Sequence, residues 1–313
     1  CFIAFGRSFR QSVSDTATVA KTYDIGNCMA RILIVGAGDV GGRLAVMLVA
    51  QGHQVWALRR SLPDQRQALP GVHTLVADVT QPQTLTALPE HLDIVVTALS
   101  PGESGVAAYR RVYVEGTRSL MQALLGQKLV HQFWVSSTSV YGQSQGEWVD
   151  TDTPAQPATD TAQALLAAEA VAQAAGWPCS IVRFGGLYGP GRHWLLRWVS
   201  NGRPVQTQPP SWSNRIHVED AAGFLAHLTQ LALAGRSLRE VYIGVDDLPT
   251  PQHEVMDWLA VQLGCAPPTA ENTPNANLGK RLSNHSLRSS GYVLRYPDYR
   301  AGYEQVLLAR ESQ

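Results

Sequence analysis

The sequence predicts an α/β protein built on a doubly wound parallel sheet, with a smaller lobe at its C-terminal end. Short, unbroken apolar runs alternate with helical segments along most of the chain, which is the pattern of a parallel sheet covered by helices on both faces. The chain has 313 residues, of which 45% are hydrophobic and 16% charged, and it can bury a sizeable core. One large α/β unit and one smaller lobe account for this length.

The predicted strands are short and rich in branched apolar residues. They cover residues 32–36, 54–58, 73–77, 93–98, 132–136, 180–184 and 241–245. Helices are predicted over residues 105–125, 160–175, 221–233 and 252–263. Thr159 or Asp160 is the candidate cap of the helix that begins at residue 160. Ligands of parallel sheets bind at the carboxyl ends of the strands, and the motifs described below fall at such ends.

The first strand runs into a Gly-x-Gly-x-x-Gly turn formed by Gly36, Gly38 and Gly41. Gly36 allows the tight turn, Gly38 leaves room for a pyrophosphate, and Gly41 lets the next helix pack closely on the strand. The pattern predicts a Rossmann-type dinucleotide site, with Asp39 and Val40 among the residues that bind the cofactor at the helix N-terminus. The alternative is an ordinary glycine-rich turn between a strand and a helix.

The end of the second strand predicts which dinucleotide is bound. Arg59 and Arg60 stand where an Asp or Glu would usually meet a free ribose 2′-hydroxyl. Guanidinium groups match a 2′-phosphate instead, so NADP(H) is favoured over NAD(H) as the cofactor. The alternative for these arginines is a solvated basic loop.

Two further strand ends contribute candidate cofactor-binding residues. Asp78, which precedes Val79, either accepts a hydrogen bond from the adenine amino group or caps the helix near Pro82. After the fourth strand, a stretch with small residues would let the backbone approach the cofactor. Its candidate residues are Ala98, Leu99 and Ser100.

Four motifs in order along the chain resemble those of the extended short-chain dehydrogenases/reductases, and more narrowly the NAD-dependent epimerase/dehydratase family. They are Tyr-x-x-Val-x-Val-x-Gly-Thr at 109–117, Val-Ser-Ser-x-x-Val-Tyr-Gly at 135–142, Val-Arg-Phe-x-x-Leu-Tyr-Gly-Pro-Gly-Arg at 182–192, and Arg-Ile-His-Val-Glu-Asp at 215–220. The resemblance implies an NAD(P)-binding domain over 29–186 and a lobe over 187–313 that binds the substrate, with 215–245 returning to the first domain. Residues 1–28 are mixed and polar, and we expect a disordered N-terminal extension there.

Members of that family use an Asn, a Ser or Thr, a Tyr and a Lys, and the lysine lowers the pKa of the phenol. By resemblance, Ser137 is the family serine, and Tyr113 stands where the family has Asn. The run that matches Tyr-x-x-x-Lys-Leu-Ala-Ala-Glu covers 161–169, with Thr161 and Leu165 in place of Tyr and Lys. The chain has three lysines, and none follows a tyrosine by four residues. It therefore resembles an atypical branch of the family.

The resemblance leaves four candidate proton donors, which are Ser137, Tyr113, Tyr141 and Tyr188. Three candidate contacts to the substrate lie further along the chain. Arg192 and His193 follow the glycine-rich turn, although a surface role is an equal alternative for both, and Arg215 resembles the family arginine that meets a substrate's diphosphate. Asp220 is expected to cap the following helix, and His217 is expected to be a packed structural histidine.

Composition excludes several classes of partner. Lys plus Arg equals Asp plus Glu at 25 each, so no basic surplus attracts nucleic acid or an anionic membrane. No apolar run approaches the roughly 18 residues of a membrane span. The four cysteines have neither disulfide nor metal-ligand spacing, which indicates a reducing cytoplasm and no metal site.

The expected function is that of an NADP(H)-dependent oxidoreductase or epimerase acting on a sugar nucleotide or a similar small molecule. The alternative is a catalytically silent NADP(H)-binding sensor or partner-binding module that uses the same fold for recognition. The resemblance also implies a homodimer that forms through the helices at 105–125 and 160–175.

Overall fold

The structure is a computed structural model, and it describes residues 29–62, 68–273 and 276–311. The predicted N-terminal extension, residues 1–28, lies outside the described residues. Within them, seven strands form one parallel sheet. They are β1 (Arg31–Val35), β2 (Gln54–Arg59), β3 (His73–Val76), β4 (Ile94–Thr97), β5 (His131–Ser137), β7 (Cys179–Phe184) and β12 (Val241–Gly244).

The order of the strands in this sheet is β12-β7-β5-β4-β1-β2-β3, and every neighbouring pair is parallel. The chain moves outward in one direction from β1 to β3 and in the other from β4 to β12, so the strand order reverses beside β1. This is the doubly wound Rossmann-type topology, in which ligands bind at the switch point. The predicted α/β fold class is confirmed.

Helices cover both faces of the sheet. The helices of the described residues are α1 (Asp39–Ala50), α2 (Val106–Tyr109), α3 (Gly116–Ala123), α4 (Asp160–Gln173), α5 (Trp194–Ser200), α6 (Val218–Leu233), α7 (Gln252–Leu263), α8 (His285–Ser289) and α9 (Tyr299–Glu311). Leu44 of α1 and Phe224 of α6 belong to one buried cluster with Ile32 and Ile34 of β1. Leu120 of α3 packs on the opposite face, against alternate residues of the same strand. Both faces of β1 are therefore buried, which explains its unbroken apolar sequence.

Short two-stranded pairs build much of the smaller lobe. They use β6 (Trp148–Val149), β8 (Gly186–Tyr188), β9 (Val205–Gln208), β10 (Trp212–Ser213), β11 (Arg215–His217), β13 (Thr250–Pro251), β14 (Ala270–Asn272) and β15 (Arg281–Leu282). The helices α5, α7 and α9 pack together around Leu196, Leu259 and Tyr299. The segment from β11 to β12 passes back to the large sheet, because α6 packs on α1 and β12 pairs with β7.

The helix predicted over 105–125 is divided. Between α2 and α3 the chain forms a π-helical segment, Arg110–Glu115, which contains Tyr113. A π-helical turn holds one more residue than an α-helical turn, and such turns are frequent at functional sites. Gly116 begins α3 directly against Val79, since a Cβ at Gly116 would lie 2.7 Å from Val79 Cγ2.

Two helix caps can be compared with the predictions. Thr159 caps α4, since its hydroxyl accepts a hydrogen bond from the backbone N–H of Ala162 at 3.2 Å, as expected. At α6 the prediction for Asp220 is wrong, because the N-cap is the buried His217, whose Nδ1 accepts from the N–H of Glu219 at 3.3 Å. The Asp220 carboxylate instead accepts from the backbone N–H groups of residues 295–296 at 2.8 and 2.9 Å. It ties α6 to the segment before α9.

None of the helices that the structure describes is both long enough and apolar enough to span a membrane.

Candidate functional site

The turn after β1 lies at the switch point of the sheet, and its three glycines meet different surroundings. A Cβ at Gly36, where φ is +93°, would lie 2.4 Å from the carbonyl oxygen of Ala98, and one at Gly41 would lie 2.4 Å from the carbonyl oxygen of Gly36. At Gly38, by contrast, no other atom of the described chain lies within 4 Å of the Cβ position. The first and third glycines are thus required by packing, whereas the second leaves open space beside the N-terminus of α1.

Two adjoining cavities occupy this space. We call the larger one, of about 600 Å³, the outer cavity, and the smaller one, of about 310 Å³, the inner cavity. They share the walls formed by Gly36, Gly38, Ala98, Leu99 and Ser100, so they are parts of one cleft.

All of the predicted cofactor-binding residues line this cleft. They are Gly36, Gly38, Asp39, Val40, Gly41, Arg59, Arg60, Asp78, Val79, Ala98, Leu99 and Ser100. The residues come from the ends of four different strands, and the parallel topology brings those ends to one edge of the sheet.

Arginines dominate the charge of the outer cavity. Arg59 and Arg60 reach it from the end of β2, and the exposed Arg60 lies beside Gly102, where a Cβ would be 3.1 Å from its Nη2. Arg111, which was not among the predicted site residues, also lines the cavity and pairs with Glu103 at 3.0 Å. The signal for Arg111 was weak, because a helical arginine is ordinarily a surface residue.

Asp78 lines the outer cavity as well, but it does not cap the short helix that follows. Its Oδ1 accepts from the backbone N–H and the hydroxyl of Thr80, at 2.9 and 2.8 Å. The N-cap of the 3-10 helix Pro82–Ala87 is Gln81, without a side-chain cap. The capping alternative is therefore wrong, and the contact to adenine stays a prediction.

The inner cavity is lined by Tyr113, Ser137 and Leu165, which the sequence resemblance predicts at catalytic positions of the family. Ser137 ends β5, and its Oγ accepts from the N–H of Ser139 at 3.1 Å. Tyr113 enters from the π-helical segment, with its ring 5.9 Å from that of Trp134. Leu165 of α4 completes this wall, and it is 5% exposed. Tyr113, Ser137 and Leu165 therefore line the part of the cleft that does not contain Arg59 and Arg60.

Burial raises the pKa of Tyr113 to about 12, and the neighbouring Tyr109 adds to the effect. The phenol is therefore protonated at neutral pH and can act as a hydrogen-bond donor or an acid. It is a poor base, because its anion is disfavoured in this position.

A third cavity, of about 570 Å³, adjoins the inner one through Ser100 and Tyr113, and we call it the side cavity. Thr161 lines it together with Tyr109, whose ring lies 5.3 Å from the ring of Tyr113. Thr161 and Leu165, one turn apart on α4, thus face two neighbouring spaces that meet at Tyr113.

The structure does not bring Tyr141 or Tyr188 to the cleft walls that it describes. Tyr141 is 1% exposed, and its hydroxyl accepts a hydrogen bond from Nη1 of Arg183 at 2.7 Å. Tyr188 is 3% exposed, and its hydroxyl donates to the carbonyl oxygen of Asp298 at 3.2 Å. Both hypotheses of a proton donor are corrected by the same physical fact, that the phenol is buried in the interior and does not line the cleft.

The three residues predicted to contact the substrate lie in different surroundings. Arg192 lines the inner cavity and binds Asp39, with Nε 2.7 Å from Oδ2. His193 is half-buried, and its Nδ1 has no hydrogen-bond partner among the described residues. Arg215 is 5% exposed, donates from Nη2 to the hydroxyl of Ser213 at 2.5 Å, and is not among the residues that line the three described cavities.

Comparison with known proteins agrees with this site. A model of a family described as NAD(P)H-binding matches residues 36–230, which include the glycine turn and all of the cleft residues named above. The chain belongs to this NAD(P)H-binding family. A solved structure from Methylobacillus flagellatus, assigned as an NAD-dependent epimerase/dehydratase, is 41% identical, with a TM-score of 0.77 over 91% of this chain and 100% of that one. The resemblance to the epimerase/dehydratase family is confirmed.

More distant relatives cover most of the chain too. Protein YeeZ of Escherichia coli K12 is 27% identical over 282 residues, which is 86% of this chain and 97% of YeeZ. A 3-diazoavenalumate denitrifying reductase from Streptomyces is 28% identical over 277 residues, covering 80% and 86% of the two chains. The dTDP-glucose 4,6-dehydratase DesIV of Streptomyces venezuelae, solved with NAD and TYD, shares the fold at 19% identity, with a TM-score of 0.75 over 90% and 97% of the chains.

The residues present fit a nicotinamide dinucleotide. The open position at Gly38 leaves the backbone of the turn and the N-terminus of α1 accessible to an anion, which is what a pyrophosphate requires. The long cleft extends from this turn in both directions, toward the arginines and toward Tyr113.

Proposed function

We propose that this protein is an NADP(H)-dependent reductase of a small molecule. The observation that supports it best is the order in which different groups line the cleft from one end to the other. Arg59 and Arg60 line one end, the glycine turn and Arg192 lie between, and Tyr113 and Ser137 line the other end. A dinucleotide with a 2′-phosphate matches this order of groups.

The arginines support NADP(H) over NAD(H). A carboxylate at the end of β2 would bind the ribose hydroxyls of NAD(H) and repel a 2′-phosphate. Here two guanidinium groups follow the strand, and each can form charge-assisted hydrogen bonds to phosphate oxygens.

In the proposed reaction, the glycine turn and the arginines would hold NADPH, which when bound would supply the hydride for the reduction. Tyr113 then donates its proton to the atom of the substrate that gains negative charge, and it regains a proton from water. Ser137 donates a hydrogen bond to the same atom and orients it. Thr161 and Leu165 take the places of the usual Tyr and Lys, so neither an ammonium nor an activated phenol is available on α4.

This arrangement favours reduction over epimerisation. An epimerase needs a group that removes a proton from the substrate as readily as it returns one. A phenol whose pKa is raised to about 12 gives up its proton only to a stronger base, such as a developing alkoxide. A reduction needs a single proton donation, which the Tyr113 phenol can supply.

The side cavity is the proposed place of the substrate. It adjoins the inner cavity at Tyr113 and is lined by Tyr109, Tyr113 and Thr161, whose hydroxyl lies 3.2 Å from that of Thr159. A sugar nucleotide, the typical substrate of the wider family, would use an arginine at the position of Arg215, which is buried and bound to Ser213 here. We therefore expect sugar nucleotides to react at least about 10²-fold more slowly than with a family member that has the Tyr/Lys pair.

Turnover with NADPH on a panel of small aldehydes, ketones and conjugated aromatic acids tests the proposal, with UDP-glucose as the family reference. Tyr113→Phe is expected to lower kcat about 10²- to 10⁴-fold while the affinity for NADPH stays unchanged. Rapid turnover that survives both Tyr113→Phe and Ser137→Ala would contradict the proposed donor.

The second candidate function is that of a silent NADP(H)-binding sensor or partner-binding module. It is favoured by one observation, the absence of charge at Thr161 and Leu165 where the family's catalytic pair would stand. Tight binding of NADPH without turnover on any compound of the panel would support this candidate over the reductase.

A further inference from the structure

Arg192 crosses from the smaller lobe to the start of α1. It lies in the turn between β8 and α5, and its Nε is 2.7 Å from Oδ2 of Asp39, the first residue of α1. The other oxygen of Asp39 accepts from Nε of Arg43 at 3.0 Å. A single carboxylate at the mouth of the glycine turn thus joins two arginines from different parts of the chain.

The carboxylate of Asp39 is ionised at neutral pH. Partial burial raises its pKa, but the hydrogen bonds from Arg192 and Arg43 outweigh that effect and hold the pKa below its usual value. An ionised carboxylate beside the turn would repel a pyrophosphate. The guanidinium groups of Arg192 and Arg43 offset this charge, and Arg43 also pairs with Glu219, with Nη1 3.8 Å from Oε1.

The turn that carries Arg192 is held in shape. The backbone N–H of Arg192 donates to the carbonyl oxygen of Gly189 at 3.0 Å. Gly189 and Gly191, which flank Pro190, have positive φ angles of 138° and 84°. These conformations favour glycine, so the sequence Gly-Pro-Gly sets the direction in which Arg192 leaves the turn.

Only Nε of Arg192 is used. Among the described residues, its two terminal nitrogens have no hydrogen-bond partner, although Arg192 lines the inner cavity beside Gly38 and Gly41. The side chain is 36% exposed. A guanidinium in a cleft wall that uses only its Nε on a carboxylate keeps two terminal nitrogens with which it can bind a second anion.

We propose that Arg192 is a clamp for the phosphates of the dinucleotide, and that Asp39 orients it. The smaller lobe would thereby contribute directly to cofactor binding, whereas Arg192 was predicted from the sequence to contact the substrate. This inference rests on the proposed function only in that the protein must bind a nicotinamide dinucleotide. It predicts that Arg192 acts on NADPH and NADH alike, because the two share the pyrophosphate and differ at the 2′-phosphate.

The test is a calorimetric titration of Arg192→Ala with NADPH, NADH and adenosine 2′-monophosphate, which has no pyrophosphate. The affinities for NADPH and NADH are expected to fall together by about tenfold or more. The affinity for adenosine 2′-monophosphate is expected to stay unchanged. Arg197→Ala is the matched control, because Arg197 is an exposed arginine of α5 outside the cleft, and it is expected to alter none of the three affinities.

A second variant, Arg192→Lys, keeps the charge and loses the planar fork. It is expected to lie between the wild type and Arg192→Ala, because a lysine cannot bind Asp39 and a phosphate with two fixed edges. Intact binding of adenosine 2′-monophosphate by the variants also shows that they are folded.

Two results would overturn the clamp. One is unchanged affinity for NADPH in Arg192→Ala, and a raised KM for the substrate in that case would return Arg192 to substrate binding. The other is a loss confined to NADPH, which would place Arg192 at the 2′-phosphate. Failure of the wild type to bind any dinucleotide would instead refute the proposed function, and the clamp with it.

Discussion

The guanidinium of Arg183 binds the carboxylate of Glu169 in the interior of the protein, with Nη2 2.6 Å from Oε2. Glu169 stands where the matching family run ends in Glu, so the end of this run has a structural role here. The same carboxylate accepts from the hydroxyl of Ser136 at 2.5 Å, and Arg183 donates to Tyr141. The pair therefore links α4, β5 and β7, and it holds Tyr141 in the interior, away from the cleft.

Glu169→Ala is expected to lower the free energy of unfolding by about 3–5 kcal/mol, because it leaves the Arg183 charge buried without a partner. Urea denaturation measures the change. The control is Glu103→Ala, which breaks an ion pair with Arg111 in which both side chains are more than half exposed, and a loss below about 1 kcal/mol is expected there. Equal losses in the two variants would contradict the structural role of Glu169.

Titration of Tyr113 is not expected to change kcat near neutral pH. Burial raises the pKa of Tyr113 to about 12, so the reactive protonated form persists at neutral and moderately alkaline pH and is lost only as pH rises toward about 12. The kcat for reduction should therefore be constant from about pH 6 to pH 10. A fall in kcat with a midpoint near pH 7–8 that disappears in Tyr113→Phe would contradict this.

Stability is expected to depend on pH through Asp246. Burial raises its pKa in the folded protein to about 7, against about 3.9 in an unfolded chain. The unfolded chain therefore loses this proton at lower pH than the folded protein, and Asp246 destabilises the fold progressively as pH rises from about 4 to about 7. Asp246→Asn keeps an oxygen for the N–H of Leu248, and its Tm should rise relative to wild type between pH 5 and pH 8.

The neighbouring Asp247 provides the control. Partial burial raises its pKa, but hydrogen bonds from Arg288 and Asn284 outweigh that effect, so its pKa in the folded protein lies below the usual value. Its contribution is therefore complete above about pH 4 and is lost only at lower pH. The difference in Tm between Asp247→Asn and wild type should stay constant between pH 5 and pH 8. If the difference in Tm between Asp246→Asn and wild type also stayed constant between pH 5 and pH 8, Asp246 would not be the source of the pH dependence.

We propose a homodimer that forms through α4 and the helical segment from α2 to α3. Ala167 and Ala170 are exposed on α4, and a small apolar face of this kind suits close packing against its own copy. Light scattering should give a dimer for the wild type and a monomer for Ala167→Arg. Ala234→Arg, at an exposed position after α6, should remain a dimer. A monomeric wild type at micromolar concentration would contradict the proposal.

The sequence predicted the sheet well because its strands are local apolar runs. The helix predicted over 252–263 coincides with α7, and the glycine pattern located the turn after β1. These features depend on residues close together in the chain. The ends of parallel strands meet at one edge, so the cofactor-binding residues could be grouped without knowing any side-chain contact.

Contacts between distant residues were beyond such reasoning. The bond between Arg192 and Asp39 joins residues 153 positions apart, and no local pattern pairs them. The burial of Tyr141 had one usable signal, since Arg183 lies inside a predicted strand, where a charge must find a partner. The π-helical segment had none, because one extra residue in a turn hardly alters the apolar period.

Titration with NADPH and NADH, by calorimetry on the wild type and on Arg60→Ala, tests the cofactor assignment most directly. The account predicts that NADPH binds about ten- to a hundredfold more tightly than NADH, since a charge-assisted bond to phosphate contributes about 1.5–3 kcal/mol. Arg60→Ala should remove most of that preference, while Arg118→Ala, an exposed arginine of α3 outside the cleft, should leave it intact. Equal affinities in the wild type, or a preference for NADH that Arg60→Ala does not change, would contradict the account.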